Sequence, residues 1–174
     1  MGDLLVRPAG PVDAVAINAI YNHWVLTSTA TYQTEPSGLE ETRTQLASHG
    51  PLHPMIVAVL DGTARGGEVV GWGSLSPFHG REAYARTVEN SVYVHPERLR
   101  RGIGSALLAR LISLGSVAGH RVIVARIDAE QVPSLALHAK HGFTRAGELR
   151  QVGYKFDRWL DVIYMQRNLR EDGR

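Results

Sequence analysis

The sequence predicts a single α/β (α+β) domain, residues 1–174, built around a mixed central β-sheet. Short apolar runs alternate with segments whose apolar residues recur about every three to four positions, so helices are expected between strands. Two apolar runs in the N-terminal half are joined only by a turn and should pair antiparallel. We expect about six to seven strands flanked by about four helices.

The N-terminal part is expected to hold one strand and two helices. Residues 3–7 are short, apolar and followed by proline, as in an edge strand. Pro11 fits the first turn of a helix. A polar, β-branched stretch at 27–36 predicts a loop, and a second helix should cover 37–48. Its first turns carry glutamates, and Ser37 is the expected N-cap.

Three strands are predicted in the central part of the chain. The run 55–60 is apolar and β-branched, and Asp61 begins a turn toward its partner strand at 68–75. A loop at 76–81 then leads into a long strand at 83–94.

The C-terminal half should start with a helix over 101–118. Ile103, Leu107, Leu111 and Leu114 follow helical spacing, and a glycine comes directly after the last turn. The remaining elements are expected at 121–127 (strand), 133–141 (helix), 143–149 (strand) and 157–169 (strand).

Composition restricts the classes of function. The chain is 44% apolar with a net charge of only +2, which is typical of a globular protein and not of a nucleic-acid-binding one. It has no cysteine, so disulfides, thiolate metal sites and a cysteine nucleophile are excluded. The run 55–60 is too short for a membrane span, and the N-terminus lacks a signal-peptide pattern. We expect a cytoplasmic protein.

The most informative segment runs from Asn90 to Leu108. A β-branched strand passes through a basic loop into a helix whose first turn holds two glycines. The free N–H groups of such a turn, together with the helix dipole, favour a phosphate. A packing role with solvated arginines is an alternative. A Rossmann turn is another, but Leu107 stands at its third glycine position, and a P-loop would need Gly-Lys-Ser/Thr.

These residues also resemble a known family. Arg101-x-x-Gly104-x-Ala106 is similar to the signature [Gln/Arg]-x-x-Gly-x-[Gly/Ala] of the GNAT acetyltransferases, and 134–143 resembles their second coenzyme A segment. The resemblance covers nearly the whole chain. The stretches 20–23, 87–94, 151–156 and 158–161 further resemble the branch that acetylates phosphinothricin and methionine sulfoximine or sulfone. The resemblance implies a GNAT fold with acetyl-CoA as cosubstrate.

The resemblance also implies a set of coenzyme-binding residues. The pyrophosphate would lie on the signature turn, and the pantetheine arm would pair with the strand before it. Many relatives carry asparagine where this chain has Gln131, which keeps the amide on a longer side chain. The implied residues are Val92, Tyr93, Val94, Arg100, Arg101, Gly102, Ile103, Gly104, Ser105, Gln131 and Lys140.

Glu89 is the predicted general base or ammonium anchor. It interrupts an apolar strand and shares a face with Ser91 and Tyr93. Because an amine is mostly protonated at neutral pH, a carboxylate that binds the cation and accepts a proton suits the reaction. An outward-facing glutamate on an edge strand is the alternative, and the family resemblance favours the functional interpretation.

His138 is the second candidate catalytic residue. It lies where many GNAT members carry a tyrosine near the thioester sulfur, so its imidazole could donate a proton to the thiolate or hold a water. A partly buried structural histidine is the alternative. His141 is nearby in the sequence, but no third ligand accompanies the pair, and no metal is expected.

The loop Phe78, His79, Gly80 and Arg81 matches the substrate loop of the branch. Arg81 could pair with a substrate carboxylate, with Arg86 as a rival. A merely polar, exposed loop is the alternative.

The predicted function is transfer of an acetyl group from acetyl-CoA to the α-amino group of a small amino-acid analogue, through a ternary complex. The physiological amino acid stays open. Other possibilities are a GNAT enzyme acting on protein N-termini or polyamines, and a non-catalytic acetyl-CoA-binding protein. The family usually forms homodimers through its C-terminal strands, so a homodimer is expected, with no nucleic acid or membrane as partner.

Overall fold

A computed structural model describes residues 3–63 and 66–169. A 3-10 turn precedes α1, and two others flank the fourth strand, at Pro11–Asp13, Glu82–Tyr84 and Pro96–Arg98. The main elements, in chain order, are β1 (Leu4–Pro8), α1 (Ala14–Thr27), α2 (Leu39–Ser48), β2 (Met55–Thr63), β3 (Gly66–Pro77), β4 (Thr87–Val94), α3 (Ile103–Val117), β5 (Val122–Asp128), α4 (Val132–Lys140), β6 (Thr144–Lys155) and β7 (Arg158–Asn168).

The strands form one mixed sheet in the order β1-β2-β3-β4-β5-β7-β6. Every neighbouring pair is antiparallel except β4 and β5, which run parallel because α3 connects them. The predicted α/β class and mixed sheet are therefore confirmed.

The parallel pairing of β4 with β5 is short. It covers only Thr87–Glu89 against Val122–Val124, and beyond these residues the two strands separate. His95 N–H donates to Val70 O on the β3 side. The main-chain N–H and C=O groups of odd-numbered residues in β4 therefore point toward β3, and those of even-numbered residues point toward β5. The main-chain groups of Val92 and Val94 therefore face the gap between β4 and β5.

Apolar side chains cover both faces of the sheet. On one face α3 buries Leu107 and Leu111 against Leu75 and Ile123. On the other, α1 packs on a cluster that contains Trp72, which is only 3% exposed and has the core role usual for a strand aromatic. The first of these layers holds α3, the helix after β4, against the sheet.

Several predicted boundaries are wrong, and the differences have local causes. α2 begins at Leu39 with Gly38 as its N-cap, so Ser37 does not cap it. Ser37 Oγ instead accepts from Gln33 Nε2, and its carbonyl accepts from Asn22. The predicted strand at 83–86 is a turn, because the chain bends there before β4 starts.

Two predicted strands are also longer in the structure. β2 continues past Asp61 through an irregular pairing in which Asp61 has a φ of 48°. β6 continues from the expected end at Leu149 to Lys155 through a bulge against β7. The extended β6–β7 hairpin reaches the open side of the gap.

Candidate active site

A cleft of about 470 Å³ opens where β4 and β5 part. Its walls come from β4, β5, the loop after α1 and the β6–β7 hairpin. Among the predicted site residues, Glu89, Val92, Tyr93 and His138 line it. Residues 89–93 contribute from both faces of β4, because beyond Glu89 the strand has no neighbour on this side.

Glu89 is half-buried at the base of the cleft, where the two strands begin to separate. Its Oε1 accepts a hydrogen bond from Arg126 Nε at 2.6 Å. Desolvation acts to lower the pKa of Arg126, but the hydrogen bond to Glu89 and its negative charge outweigh this, and the pKa is raised. Sequence reasoning missed Arg126, although it interrupts an apolar strand in the same way as Glu89 does.

Both ring nitrogens of His138 have hydrogen-bond partners. Nδ1 lies 2.8 Å from the carbonyl of Ser134, which can only accept, so Nδ1 carries the proton. Nε2 then accepts from Asn90 Nδ2 at 3.0 Å. Burial lowers the pKa of His138, which keeps the imidazole neutral. This arrangement favours a positioning role over proton donation to a thiolate.

The buried His138 should make stability depend on pH. Because its pKa is lowered in the folded state, the unfolded chain binds the proton more readily. The free energy of unfolding should therefore decline as pH falls below the unfolded pKa near 6.5, by at most about 1.4 kcal/mol per pH unit per histidine. Urea denaturation between pH 7.5 and 5.5, about one pH unit either side of the unfolded pKa, checks this.

His138→Gln should make that decline shallower. It should not remove it, because burial also lowers the pKa of His53 and His141. An unchanged slope in the variant would show that His138 does not titrate in this range.

Asn90 was not predicted as a site residue. It is 7% exposed and lines the cleft, and its Nδ2 is fixed by His138. Its Oδ1 is buried without a hydrogen-bond partner among the described residues. A ligand N–H that reaches Oδ1 would satisfy this acceptor, which otherwise costs free energy.

The loop after α1 forms one wall and is tied to both sides of the cleft. Tyr32 Oη has a single proton and lies within hydrogen-bonding distance of two acceptors, Asp128 Oδ2 at 3.0 Å and the Asp161 carbonyl at 2.9 Å. The buried ammonium of Lys155 donates to the carbonyls of Ser28 and Thr31, each at 2.8 Å. Burial lowers the pKa of Lys155. These contacts link residues far apart in the sequence, so no local pattern could have predicted them.

Gln131 helps to hold the same loop. Its Nε2 donates to Thr29 Oγ1 at 3.1 Å and to Ser28 Oγ at 3.3 Å. The side chain thus contacts the protein's own loop at the start of α4, and its role toward a coenzyme stays a prediction.

Gly153 on β6 leaves space for Tyr32. A Cβ added at Gly153 would lie 2.6 Å from Cε2 of the Tyr32 ring, which is fixed by its two hydrogen bonds. Gly153→Ala should therefore destabilise the fold by about 1–3 kcal/mol, lowering the midpoint of thermal unfolding by about 2–4 °C per kcal/mol. Gly147→Ala, on the same strand with nothing within 4 Å, is the matched control. Equal midpoints for the two variants would contradict this packing.

The turn before α3 leaves the first N–H groups of the helix without a side-chain cap. Gly102 is the N-cap in the left-handed region with a φ of 80°, and glycine has no side chain to bond the first N–H groups. Ser105 Oγ lies 2.8 Å from His141 Nε2, which joins this turn to the end of α4. Arg100 and Lys140 are both exposed.

Gly104 lies in the same turn, but its missing side chain faces inward. A Cβ there would lie 3.4 Å from Leu137 Cδ2 and 3.6 Å from Val94 Cγ2. The contact partners are side chains of α4 and β4. A Cβ at Gly104 would therefore make ordinary contact with these side chains, and only a larger side chain would move α3, which is a different constraint from phosphate access.

Only some of the main-chain N–H and C=O groups of β4 that face the gap can bind a ligand. The Val94 carbonyl accepts from Trp24 Nε1 at 2.9 Å. A ligand arm entering the gap would therefore use the groups of Val92 and the Val94 N–H.

A protein-family model described as the acetyltransferase (GNAT) family matches residues 17–143. The chain belongs to this family. The predicted family, fold and enzyme class are therefore confirmed.

Individual GNAT relatives are similar over nearly the whole chain. Phosphinothricin N-acetyltransferase of Streptomyces viridochromogenes is 36% identical, over 94% of this chain and 86% of its own. L-methionine sulfoximine/L-methionine sulfone acetyltransferase of Salmonella typhimurium is 35% identical, over 97% and 96%. The crystal structure of a GNAT phosphinothricin acetyltransferase from Sinorhizobium meliloti with acetyl-CoA has a TM-score of 0.90 and 36% identity, covering 98% and 90%.

The GNAT fold does not bring every predicted site residue to the cleft. Phe78, His79 and Arg81 lie in the loop beyond β3, where Tyr84 packs against Phe78 and His79 with ring centroids 5.7 and 5.0 Å away. Gly80 and Arg81 are exposed, and these loop residues are not part of the cleft lining. Their role in substrate binding stays a prediction.

Among the described residues, no group of three or more histidine, aspartate or glutamate side chains is placed to hold a metal ion. In the same part of the chain, no helix is both long and apolar enough to cross a bilayer.

Proposed function

We propose that this GNAT protein transfers the acetyl group of acetyl-CoA to the α-amino group of a small amino acid of the phosphinothricin, methionine sulfoximine or methionine sulfone type. The observation that carries the proposal is the position of Glu89. Its carboxylate lies in the cleft that opens between β4 and β5, and the uncapped turn of α3 follows β4 directly. The relatives named above support the class of substrate.

The residues present fit the coenzyme. The first N–H groups of α3, with Arg100, Arg101, Gly102, Ile103, Gly104 and Ser105 around them, would hold the pyrophosphate. The main-chain groups of Val92 and the Val94 N–H would hold the pantetheine arm, because they face the gap. The main chain of Tyr93 pairs with β3, so Tyr93 would contribute through its side chain, which lines the cleft. Lys140 is exposed near the same turn and would add positive charge.

Glu89 would accept the proton of the incoming amine, directly or through a water. The neutral nitrogen then attacks the thioester carbonyl carbon, a C–N bond forms and the C–S bond breaks. The nitrogen loses its second proton as the amide forms, and a proton neutralises the departing thiolate, so that the amide and the free thiol of coenzyme A are released. Main-chain N–H groups of β4 that face the gap would stabilise the developing oxyanion. The chain has no cysteine, which supports direct transfer in a ternary complex.

The direct test measures thiol release from acetyl-CoA with a panel of amines. It should include phosphinothricin, methionine sulfoximine, methionine sulfone, spermidine and a short peptide with a free N-terminus. We expect turnover with the amino-acid analogues and acetylation at the α-amino group by mass spectrometry. Turnover only with spermidine or the peptide would assign a different GNAT substrate. Coenzyme binding without turnover of any amine would leave a non-catalytic acetyl-CoA-binding protein.

We further propose that the protein is a single domain, that it is located in the cytoplasm and that it forms a homodimer. An apolar surface on the β6–β7 hairpin supports the homodimer, since Val152, Tyr154, Phe156 and Trp159 are each at least half exposed. Sedimentation of the purified protein measures its mass in solution, and a monomer at micromolar concentration would remove this part.

A further inference from the structure

The cleft contains a pair of opposite charges on neighbouring strands. Arg126 on β5 donates from Nε to Glu89 Oε1 on β4 at 2.6 Å, and its guanidinium also contacts Tyr164. The side chain of Arg126 is 54% exposed, so it extends into the cleft and not into the core. A guanidinium presents several N–H donors in one plane, and these two contacts leave donors for a ligand.

The charges that line the cleft are mostly negative. Glu89 and Asp128 both contribute carboxylates, and His138 is held neutral by burial. Among the described residues of the lining, Arg126 is the one side chain with a full positive charge. Arg81 and Arg86 are exposed outside it. An anionic group of a ligand in this cleft therefore has Arg126 as its charged partner.

We propose that Arg126 binds the α-carboxylate of the amino-acid substrate while Glu89 receives its α-amino group. The inference rests on the proposed function, because it assigns the residue that recognises the carboxylate in that same cleft. It makes Arg126 a specificity-determining residue.

The reason lies in the spacing of the charges. An α-amino acid carries its ammonium and its carboxylate on the same carbon, and Arg126 and Glu89 present the opposite charges side by side. Each charge of the substrate then meets a partner, and a planar guanidinium suits a carboxylate in particular. An amine without a carboxylate must instead replace Arg126 as the partner of Glu89, which leaves the guanidinium unpaired. This cost selects against simple amines.

The test compares methionine sulfone with its carboxamide, in which a neutral amide replaces the carboxylate. Arg126→Met removes the charge and keeps an apolar stem of similar length. We expect it to raise KM for methionine sulfone by about 10- to 100-fold, to change KM for the carboxamide little, and to leave KM for acetyl-CoA unchanged. Arg126→Lys keeps the charge without the planar fork and should recover part of the loss.

Two further variants make the comparison specific. Arg110→Met removes an exposed arginine from α3 and should behave as wild type. Arg81→Met tests the loop beyond β3. If Arg81→Met, and not Arg126→Met, removes the preference for the carboxylate, the inference is wrong. It is also wrong if Arg126→Met weakens both substrates equally.

Failure of the inference differs from failure of the proposed function. A wild-type enzyme that acetylates the sulfone and the carboxamide equally well would keep its proposed activity, and Arg126 would lose its role. A wild-type protein that acetylates neither these two compounds nor the other amino-acid analogues of the panel would overturn both.

Discussion

Glu89→Gln should lower kcat by about 10²- to 10⁴-fold, the usual contribution of a positioned general base. Glutamine keeps the shape and can still accept from Arg126 Nε, but it can neither take a proton nor attract an ammonium ion. KM for acetyl-CoA should change little, because Glu89 lies at the base of the cleft and the coenzyme residues lie beyond it. Steady-state kinetics with methionine sulfone checks both constants.

The control for this variant is Glu41→Gln, which removes an exposed carboxylate from α2. It should keep full activity. If Glu89→Gln also stays fully active while its thermal midpoint is that of wild type, Glu89 serves only as the partner of Arg126. A rise of KM for the amine with little change of kcat would instead point to Glu89 as an ammonium anchor.

Gly104→Val should raise KM for acetyl-CoA by at least about tenfold, whereas Gly104→Ala should raise it only slightly. The alanine Cβ would lie 3.4 Å from Leu137 and 3.6 Å from Val94, which is ordinary contact. The two extra carbons of valine have no such space, so α3 must move away from β4, and overpacking of this kind costs about 1–3 kcal/mol. The N–H groups that would hold the pyrophosphate move with the helix.

The alanine variant separates the two explanations for Gly104. If the alanine substitution is already enough to prevent coenzyme binding in a calorimetric titration, a Cβ obstructs the phosphate itself, as the sequence pattern first suggested. A normal dissociation constant for alanine with a weakened one for valine supports packing. Wild-type binding by the valine variant would contradict both.

The local part of the site was predictable, because a strand, a glycine turn and an amphipathic helix follow one another within the segment from Asn90 to Leu108. Glu89 was also predictable from the local sequence, because it is a charged residue in an apolar strand. The residues that hold Glu89 and His138 were not. Arg126 meets Glu89 only through the parallel register of β4 with β5, and no sequence spacing specifies that register.

The same limit applies to the loop after α1. Its composition predicts a polar connection, yet Lys155 and Asp128 determine its position from the distant β6 and β5. Resemblance also has a limit here. The stretch from Phe78 to Arg81 resembles a substrate loop, but the chain bends at Glu82–Tyr84 where a continuous strand was predicted. Arg81, directly before that bend, is exposed.

The early parting of β4 and β5 leaves a strand edge inside the sheet and not at its border. Another chain can pair with an exposed outer edge, whereas this inner edge is accessible only to a narrow, extended ligand that fits between two fixed strands. Recognition there depends on peptide groups, which are the same for every residue. Binding of a ligand arm by these peptide groups places few demands on the β4 side chains, so one strand can hold a cosubstrate with its main chain and an amine with the side chain of Glu89.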